Sequence, residues 1–323
     1  MTDKLYKYIL MAITLFCAIF SVIIPTMSIP FSLIGSALFA TVVTTNKGPI
    51  PILFTAVIFG SALFITGSVT VSFLILLTFL PIGVALGIAM MKKLNLNGTV
   101  ALSISVSIIF VLIIIFFFVF EYSTKFSLEE AFAPIGASLK SVIAQSYDIL
   151  VGGMNNTDII AGRDTFIEGS YQQLILSIPY YITAVLLFII ILSYWLLKFL
   201  LKGLSINVSH MGAFTTLTIS RTGAVIYFIC TLLSIFMSTG VESIVVYNFT
   251  SIMTLIFAYA GLSLIAYILN MKSISKIVRI IIYIAIIVIC IIPFGFSGLV
   301  ALVGIADSYY HIRKRMAGGS EYL

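Results

Sequence analysis

Long, uninterrupted runs of apolar residues are the feature that most restricts the fold of this chain. Of its 323 residues, 61% are hydrophobic and only 9% are charged, whereas soluble domains carry about 25% charged residues. Runs of about 20 apolar residues can cross the hydrocarbon core of a bilayer as helices. Because lipid offers the backbone no hydrogen-bonding partner, a spanning structure must be a helix or a closed barrel. The runs here are continuous rather than alternating, which predicts helices.

Ten apolar segments can be drawn along the sequence. They predict an all-α fold, a polytopic transmembrane helical bundle of about 8–10 spans with one external amphipathic helix. The third and last segments are short enough to be re-entrant or only partly inserted. The segments cover residues 5–24, 28–44, 50–66, 69–91, 99–120, 174–201, 222–239, 244–269, 274–292 and 297–312.

The distribution of basic residues predicts the orientation of the chain. If the N-terminus lies in the cytoplasm and all ten segments cross, Lys125, Lys140 and Arg163 fall outside the cell and the other Lys and Arg residues fall inside. Such an excess of Lys and Arg is typical of cytoplasmic loops. We therefore expect both termini in the cytoplasm. Orientation also accounts for the net charge of +6, so we expect no nucleic-acid partner.

Residues 121–173 form the longest stretch of ordinary soluble composition. Ser127 and Glu130 match a capping box at a helix start, and apolar residues then recur at helical spacing. This pattern predicts an external helix that either packs over the bundle as a lid or brace, or rests in the lipid headgroup layer. We expect one integrated membrane domain with three parts: an N-terminal five-helix unit (1–120), this extracytoplasmic segment (121–173) and C-terminal membrane helices (174–323).

Asp307 and His311 form the candidate ligand or proton site in the last segment. They are four residues apart and so share one face of a helix. Ionisable residues inside a span are costly and usually serve a function, which favours a proton relay or a ligand contact near the inner surface. The alternative is a helix end at the membrane interface, where the carboxylate pairs with His311, Lys314 or Arg315.

Two pairs of small residues are candidates for helix packing. Gly83 and Gly87 form a GxxxG motif, and Ala56 and Gly60 form a second pair with the same spacing. Small residues allow the backbones of two helices to approach closely in lipid. The motif fits close packing within the bundle, and it also fits a face for a second copy or a partner.

The sequence carries no recognisable catalytic signature. It has no Walker-type phosphate loop, no HExxH motif and no GxSxG motif. Its three cysteines lie inside apolar runs, and two histidines with scattered acids leave little material for a metal site. We therefore expect no enzyme, no cofactor and no metal site. Tyr171, Gln172 and Gln173, before the sixth segment, are candidate polar contacts on the outer face.

Five stretches carry a resemblance to a known family: FLPIGVALGIAMMKK, LEEAFAPIGASLKSVIAQSYDIL, YYITAVLLFIIILSYWLLKFLLK, FAYAGLSLIAYILNMKSISKIVRIIIY and the closing LVALVGIADSYYHIRKRM. The chain resembles the YybS-like family of uncharacterised bacterial integral membrane proteins. That family is similar, at a distance, to the substrate-binding membrane components of energy-coupling-factor transporters. The resemblance implies a helical bundle in a bacterial plasma membrane that binds a small molecule from outside.

Two functions are compatible with these observations. The first is a small-molecule-binding or transport-related bundle that has no energy source of its own, since the charges lie at the ends of the spans. The second is a membrane scaffold that binds proteins of the cell-envelope machinery. A binder should contain a pocket of hundreds of Å³ with a few polar groups. A scaffold should have a filled bundle and an exposed apolar patch.

Overall fold

The computed structural model describes residues 2–24, 27–46, 48–122, 128–151, 162–236, 241–272, 274–275, 277–279, 281–282 and 296–316. Within these residues the fold is all-α and no strand is found, which confirms the predicted fold class. A short 3-10 helix, Phe214–Thr216, lies between α7 and α8. The helices are α1 (Thr2–Ile23), α2 (Ser28–Thr45), α3 (Ile50–Thr66), α4 (Val69–Met91), α5 (Leu96–Tyr122), α6 (Leu128–Val151), α7 (Arg163–Gly203), α8 (Arg221–Phe236), α9 (Val241–Met271), α10 (Phe296–Tyr310) and α11 (Ile312–Met316).

The turn between α3 and α4 shows why two predicted boundaries coincide with the structure. Gly67 ends α3 in the left-handed region, with a φ of 64°, which glycine adopts without steric cost. Ser68 then caps α4, since its side chain accepts a hydrogen bond from the backbone N–H of Val71. Most of the predicted ninth segment and Ser127, the first residue of the predicted capping box, lie outside the described residues.

Among the described residues, four helical stretches are long and apolar enough to cross a membrane. Four shorter apolar helices accompany them. The long stretches are Ser28–Thr45, Leu96–Ile113, Ser177–Gly203 and Val245–Met271, and the shorter ones are Leu5–Ser21, Ile50–Thr66, Phe79–Met91 and Arg221–Phe236. The chain is therefore a membrane protein with several apolar helices, whose surface contacts lipid.

The chain divides into two compact units. Unit 1 comprises Met1–Ile108 and Thr183–Leu323, and unit 2 comprises Ile109–Ile182. The predicted extracytoplasmic segment thus falls in unit 2. The predicted N-terminal and C-terminal membrane parts contribute together to unit 1.

In unit 1, α2 and α4 pack through small residues. A Cβ atom at Gly83 would lie 3.0 Å from the carbonyl oxygen of Ser36, and one at Gly87 would lie 2.6 Å from Val43 Cγ1. The hydroxyl of Ser36 donates a hydrogen bond to the carbonyl of Phe79, 3.1 Å away. Because lipid is as apolar as the helices, such close packing and interhelical hydrogen bonds hold them together. The structure therefore uses the GxxxG motif inside the bundle.

A still closer contact joins α9 and α10. A Cβ atom at Gly261 would overlap the carbonyl oxygen of Val300, and a Cβ atom at Gly304 would overlap that of Phe257. Only glycine fits at both positions, so the two backbones touch directly where the helices cross. Phe257 and Ala301 are fully buried beside this crossing.

We predict that Gly304→Ala destabilises the protein by about 1–3 kcal/mol, because the added methyl group forces α9 and α10 apart. Gly298→Ala is the matched control on the same helix, since a Cβ atom there meets nothing within 4 Å. Alanine at position 298 should leave stability unchanged or raise it slightly. Thermal unfolding of the detergent-solubilised variants measures both effects, and equal melting temperatures for the two variants would contradict the direct backbone contact.

Candidate functional site

A buried ion pair lies at the end of α10. Asp307 Oδ2 is 2.9 Å from Arg313 Nε, and the two side chains are only 5% and 11% exposed. The Nε atom is not aligned for a hydrogen bond with that oxygen, so this contact is an ion pair. The backbone N–H of Arg313 donates to the other oxygen, Oδ1, over 3.3 Å. Both oxygens of the carboxylate are therefore engaged by Arg313.

The remaining donors of Arg313 bind two other parts of unit 1. Nη2 donates to the carbonyl of Ala260 on α9, 3.2 Å away, and Nη1 donates to the carbonyl of Thr215. Burial lowers the pKa of Arg313, and the Asp307 carboxylate opposes this effect. The guanidinium stays charged even so, because arginine has a very high pKa. Arg313 thus joins α9, α10 and the segment before α8.

The local backbone explains how Arg313 reaches Asp307. His311 has a φ of 51°, a left-handed conformation that ends α10 and lets the chain turn back. The N–H of His311 still donates to the carbonyl of Asp307 over 2.9 Å. Arg313 follows in α11 and comes to lie beside the carboxylate six residues earlier.

The predicted site residues Asp307 and His311 are placed differently. Asp307 is buried against Arg313, whereas His311 is exposed. The sequence argument considered His311, Lys314 and Arg315 as partners of the carboxylate and passed over Arg313. These partners share a face with Asp307 only if the helix continues past His311, and on such a continuous helix Arg313 faces away from Asp307. A residue in the left-handed conformation ends an α-helix. At the end of α10 that residue is His311 rather than the usual glycine.

Residues 204–220, which we call the tethered loop, connect α7 to α8. Lys198 on α7 donates to the carbonyls of Met211 and Gly212, the second over 3.0 Å. The hydroxyl of Tyr194 donates to the carbonyl of Gly212 over 3.3 Å. The charged ammonium group of Lys198, near the end of a candidate span, therefore holds the loop through two backbone carbonyls.

Two other helices hold the same loop. Asn97 on α5 makes two hydrogen bonds with Thr218: its Nδ2 donates to the hydroxyl over 3.0 Å, and its Oδ1 accepts from the backbone N–H over 3.1 Å. Ser263 on α9 donates to the carbonyl of Phe214 over 2.6 Å. The tethered loop is held by α5, α7, α9 and Arg313.

These contacts gather basic residues at one end of unit 1. Arg221, the first residue of α8, donates to the Tyr309 hydroxyl over 3.0 Å, and its guanidinium lies 4.4 Å from the centre of that ring. The contacts of the tethered loop bring the ends of α4 and α7 to the same place. The basic residues in these segments are Lys92, Lys93, Lys198, Lys202, Arg221, Arg313, Lys314 and Arg315.

A crevice lies beneath the tethered loop. The crevice is too narrow to hold a water molecule. Polar groups that line it are Thr99, Tyr194 and His210. Burial lowers the pKa of His210, and Lys93 and Lys198 lower it further, so the imidazole is neutral at neutral pH.

In unit 2, α6 packs antiparallel to the start of α7, and we call this arrangement the α6/α7 pair. Arg163 binds Asp148 through two hydrogen bonds of 2.8 Å, and Lys140 lies 2.6 Å from Glu168. The partner cations lower the pKa values of both Asp148 and Glu168. The pairs thus stay ionised at neutral pH and are lost only as acid protonates the carboxylates. Being exposed, they fix geometry more than they add stability.

The predicted outer polar residues take part in this unit. The Tyr171 ring lies 4.5 Å from Lys140 Nζ, and a Cβ atom at Gly136 would overlap its hydroxyl. Gln172 donates to Glu168 over 3.1 Å, and Gln173 is exposed. Tyr171 and Gln172 therefore support the α6/α7 pair. Their binding of a ligand stays a prediction.

The second predicted packing pair, Ala56 and Gly60 on α3, has open surroundings. Gly60 is exposed, and a Cβ atom there would meet nothing within 4 Å. The closest helix crossing instead uses Gly261 and Gly304, which sequence reasoning missed. Small residues at Ala301, Gly304 and Ser308 recur along α10 and are the signal that could have revealed it.

The fold and these contacts define an α-helical integral membrane protein. The chain belongs to the family described as "Predicted membrane protein (DUF2232)", which matches residues 12–308. No curated protein and no solved structure matches the chain. The family match confirms the expected membrane-protein class, and it includes Asp307 while ending before Arg313.

We predict that Asp307→Asn lowers the free energy of unfolding by about 3 kcal/mol, because it leaves the buried guanidinium of Arg313 without a counter-charge. His311→Asn is the control. Asparagine tolerates the left-handed backbone at that exposed position, so the change should stay within about 0.5 kcal/mol. Denaturant titration in detergent measures both, and a larger loss in His311→Asn would restore the histidine as the partner of the carboxylate.

Proposed function

We propose that the chain is a non-enzymatic membrane scaffold that binds another protein of the cell envelope through the α6/α7 pair. The observation that carries this proposal is the exposure of apolar side chains on a rigid, ion-paired helix beyond the candidate spans. Val142 is 59% exposed and Ile149 is 82% exposed. They are seven residues apart and so lie on the same face of α6.

The opposite face of α6 is used within unit 2. Tyr147 is buried and its ring centre lies 4.9 Å from that of Phe166. Gly136 is buried against Tyr171. These contacts and the two ion pairs already hold α6 in place. Binding of a partner to Val142 and Ile149 would therefore cost little conformational entropy for ordering the helix. A fixed helix with unpartnered apolar residues is typical of an interaction surface.

Binding of a small molecule is the second candidate. The family resemblance drawn from the sequence implies this function, and the polar groups Thr99, Tyr194 and His210 line the crevice. Ligand pockets usually measure about 300–1,000 Å³, whereas this crevice has no room even for a water molecule. The scaffold is therefore the better-supported proposal. If the protein transports such a molecule, a partner would have to supply the energy.

We further propose that the protein lies in a bacterial plasma membrane with both termini in the cytoplasm. The sequence argument assigned the segments around Lys92, Lys202, Arg221 and Lys314 to one side. The gathering of the same segments around the tethered loop supports that assignment. Lys and Arg in excess at one end favour the cytoplasmic side.

Native mass spectrometry of the protein in lipid nanodiscs tests the scaffold. We expect a bound protein partner with the wild-type chain and its loss from the variant carrying Val142→Lys and Ile149→Lys, since lysine disrupts an apolar contact. Ser141→Lys is the control, because Ser141 is exposed on α6 and points about 100° away from Val142. A bound small molecule without a protein partner would favour the second candidate, and a partner retained by the double variant would exclude this surface.

A further inference from the structure

Two residues far apart in the sequence meet at the crevice. The Nε2 atom of His210 lies 3.0 Å from the Sδ atom of Met90, 120 residues away along the chain. Met211 lines the same crevice. Met90 and Met211 are 7% and 4% exposed. His210 and two buried methionines therefore border one narrow crevice.

We propose that Met90, His210 and Met211 bind a soft monovalent metal ion, Cu(I) or its analogue Ag(I). Thioether sulfur is a soft ligand that selects Cu(I), and imidazole nitrogen also suits copper. Sequence reasoning had considered only histidine, cysteine and acidic residues as ligands. The described residues contain no group of three such side chains that could hold a metal. Methionines had been treated as ordinary apolar residues.

The charges around the crevice select the kind of ion. The lining residues include no carboxylate, and Lys93 and Lys198 lie near enough to lower the pKa of His210. Hard divalent cations prefer oxygen ligands, usually with negative charge, so this lining does not suit them. A monovalent ion bound by neutral ligands suffers the least repulsion from the two lysines. Lys198 also directs its ammonium group to the carbonyls of Met211 and Gly212.

The distances allow an ion to enter with a small movement. With the bond lengths of zinc sites, about 2.0 Å to nitrogen and about 2.3 Å to sulfur, a metal at a tetrahedral angle separates these atoms by about 3.5 Å, and we take this as a guide for a soft monovalent ion. The observed separation is 3.0 Å, so the imidazole must move by about 0.5 Å. His210 is partly buried and lies on a loop, which permits that movement.

A hydrogen bond from the imidazole N–H to sulfur is the other explanation of the contact between His210 and Met90. That explanation requires only Met90 and predicts no response to a soft metal. The metal site requires both thioethers and the nitrogen. The two explanations therefore differ in what Ag(I) does to Met211.

Methyl NMR of the full-length protein in detergent micelles, with methionine labelled by ¹³C at the methyl group, tests the site. Ag(I) is the probe because it is not oxidised in air. We expect the methyl signals of Met90 and Met211 to shift with saturation, while that of Met91 stays unchanged. Met91 is the matched control, since it is adjacent to Met90 in the chain and 61% exposed. Single Leu substitutions at the three positions assign the signals.

His210→Asn should raise the Ag(I) concentration at half-saturation by about tenfold or more, because it removes the nitrogen ligand. The spectrum of each variant also shows whether it remains folded. X-ray absorption of the wild-type complex should find nitrogen together with sulfur around the metal. Unshifted Met90 and Met211 signals, an equal shift of Met91, or a shell of sulfur alone would overturn the proposal.

Discussion

The packing of α9, α10 and the tethered loop in unit 1 depends on the contacts of the Arg313 guanidinium, above all its ion pair with Asp307. The guanidinium contacts the carboxylate of Asp307 on α10, the carbonyl of Ala260 on α9 and the carbonyl of Thr215 in the tethered loop. Each contact uses a different nitrogen of the planar guanidinium. A lysine has a single ammonium nitrogen and could not make all three contacts. Because the charges of Asp307 and Arg313 are nearly buried, leaving either of them without its partner would destabilise the fold. The ion pair thus fixes how two helices and a loop meet.

The glycine crossing makes that arrangement possible. Gly261 and Gly304 bring the backbones of α9 and α10 into contact, and Ala260 precedes the first glycine while Asp307 lies about one turn beyond the second. A larger residue at either position would move the carbonyl of Ala260 away from Arg313. In lipid, where apolar surfaces gain nothing by meeting each other, direct packing and polar contacts decide such geometry.

The sequence predicted the helical membrane fold well, because continuous apolar runs allow one solution in lipid. The bounds of α3 and α4 coincide with the prediction, since Gly67 and Ser68 are local signals for a helix end and a helix start. The partner of Asp307 could not be predicted in this way. It depends on the left-handed backbone of His311, for which histidine gives no strong local signal. The contacts of Lys198, Asn97 and Ser263 with the tethered loop join distant parts of the chain, and one sequence does not record such pairings.

Amide hydrogen exchange in residues 204–220 tests the role of Arg313 most directly. The wild-type protein and the variant Lys314→Gln, which alters an exposed neighbour, should both protect these amides. Arg313→Gln should release the loop and increase its exchange by about tenfold or more, while the helices far from it keep their protection. Unchanged protection of the loop in Arg313→Gln would contradict the account, because the other tethers would then hold the loop without the ion pair.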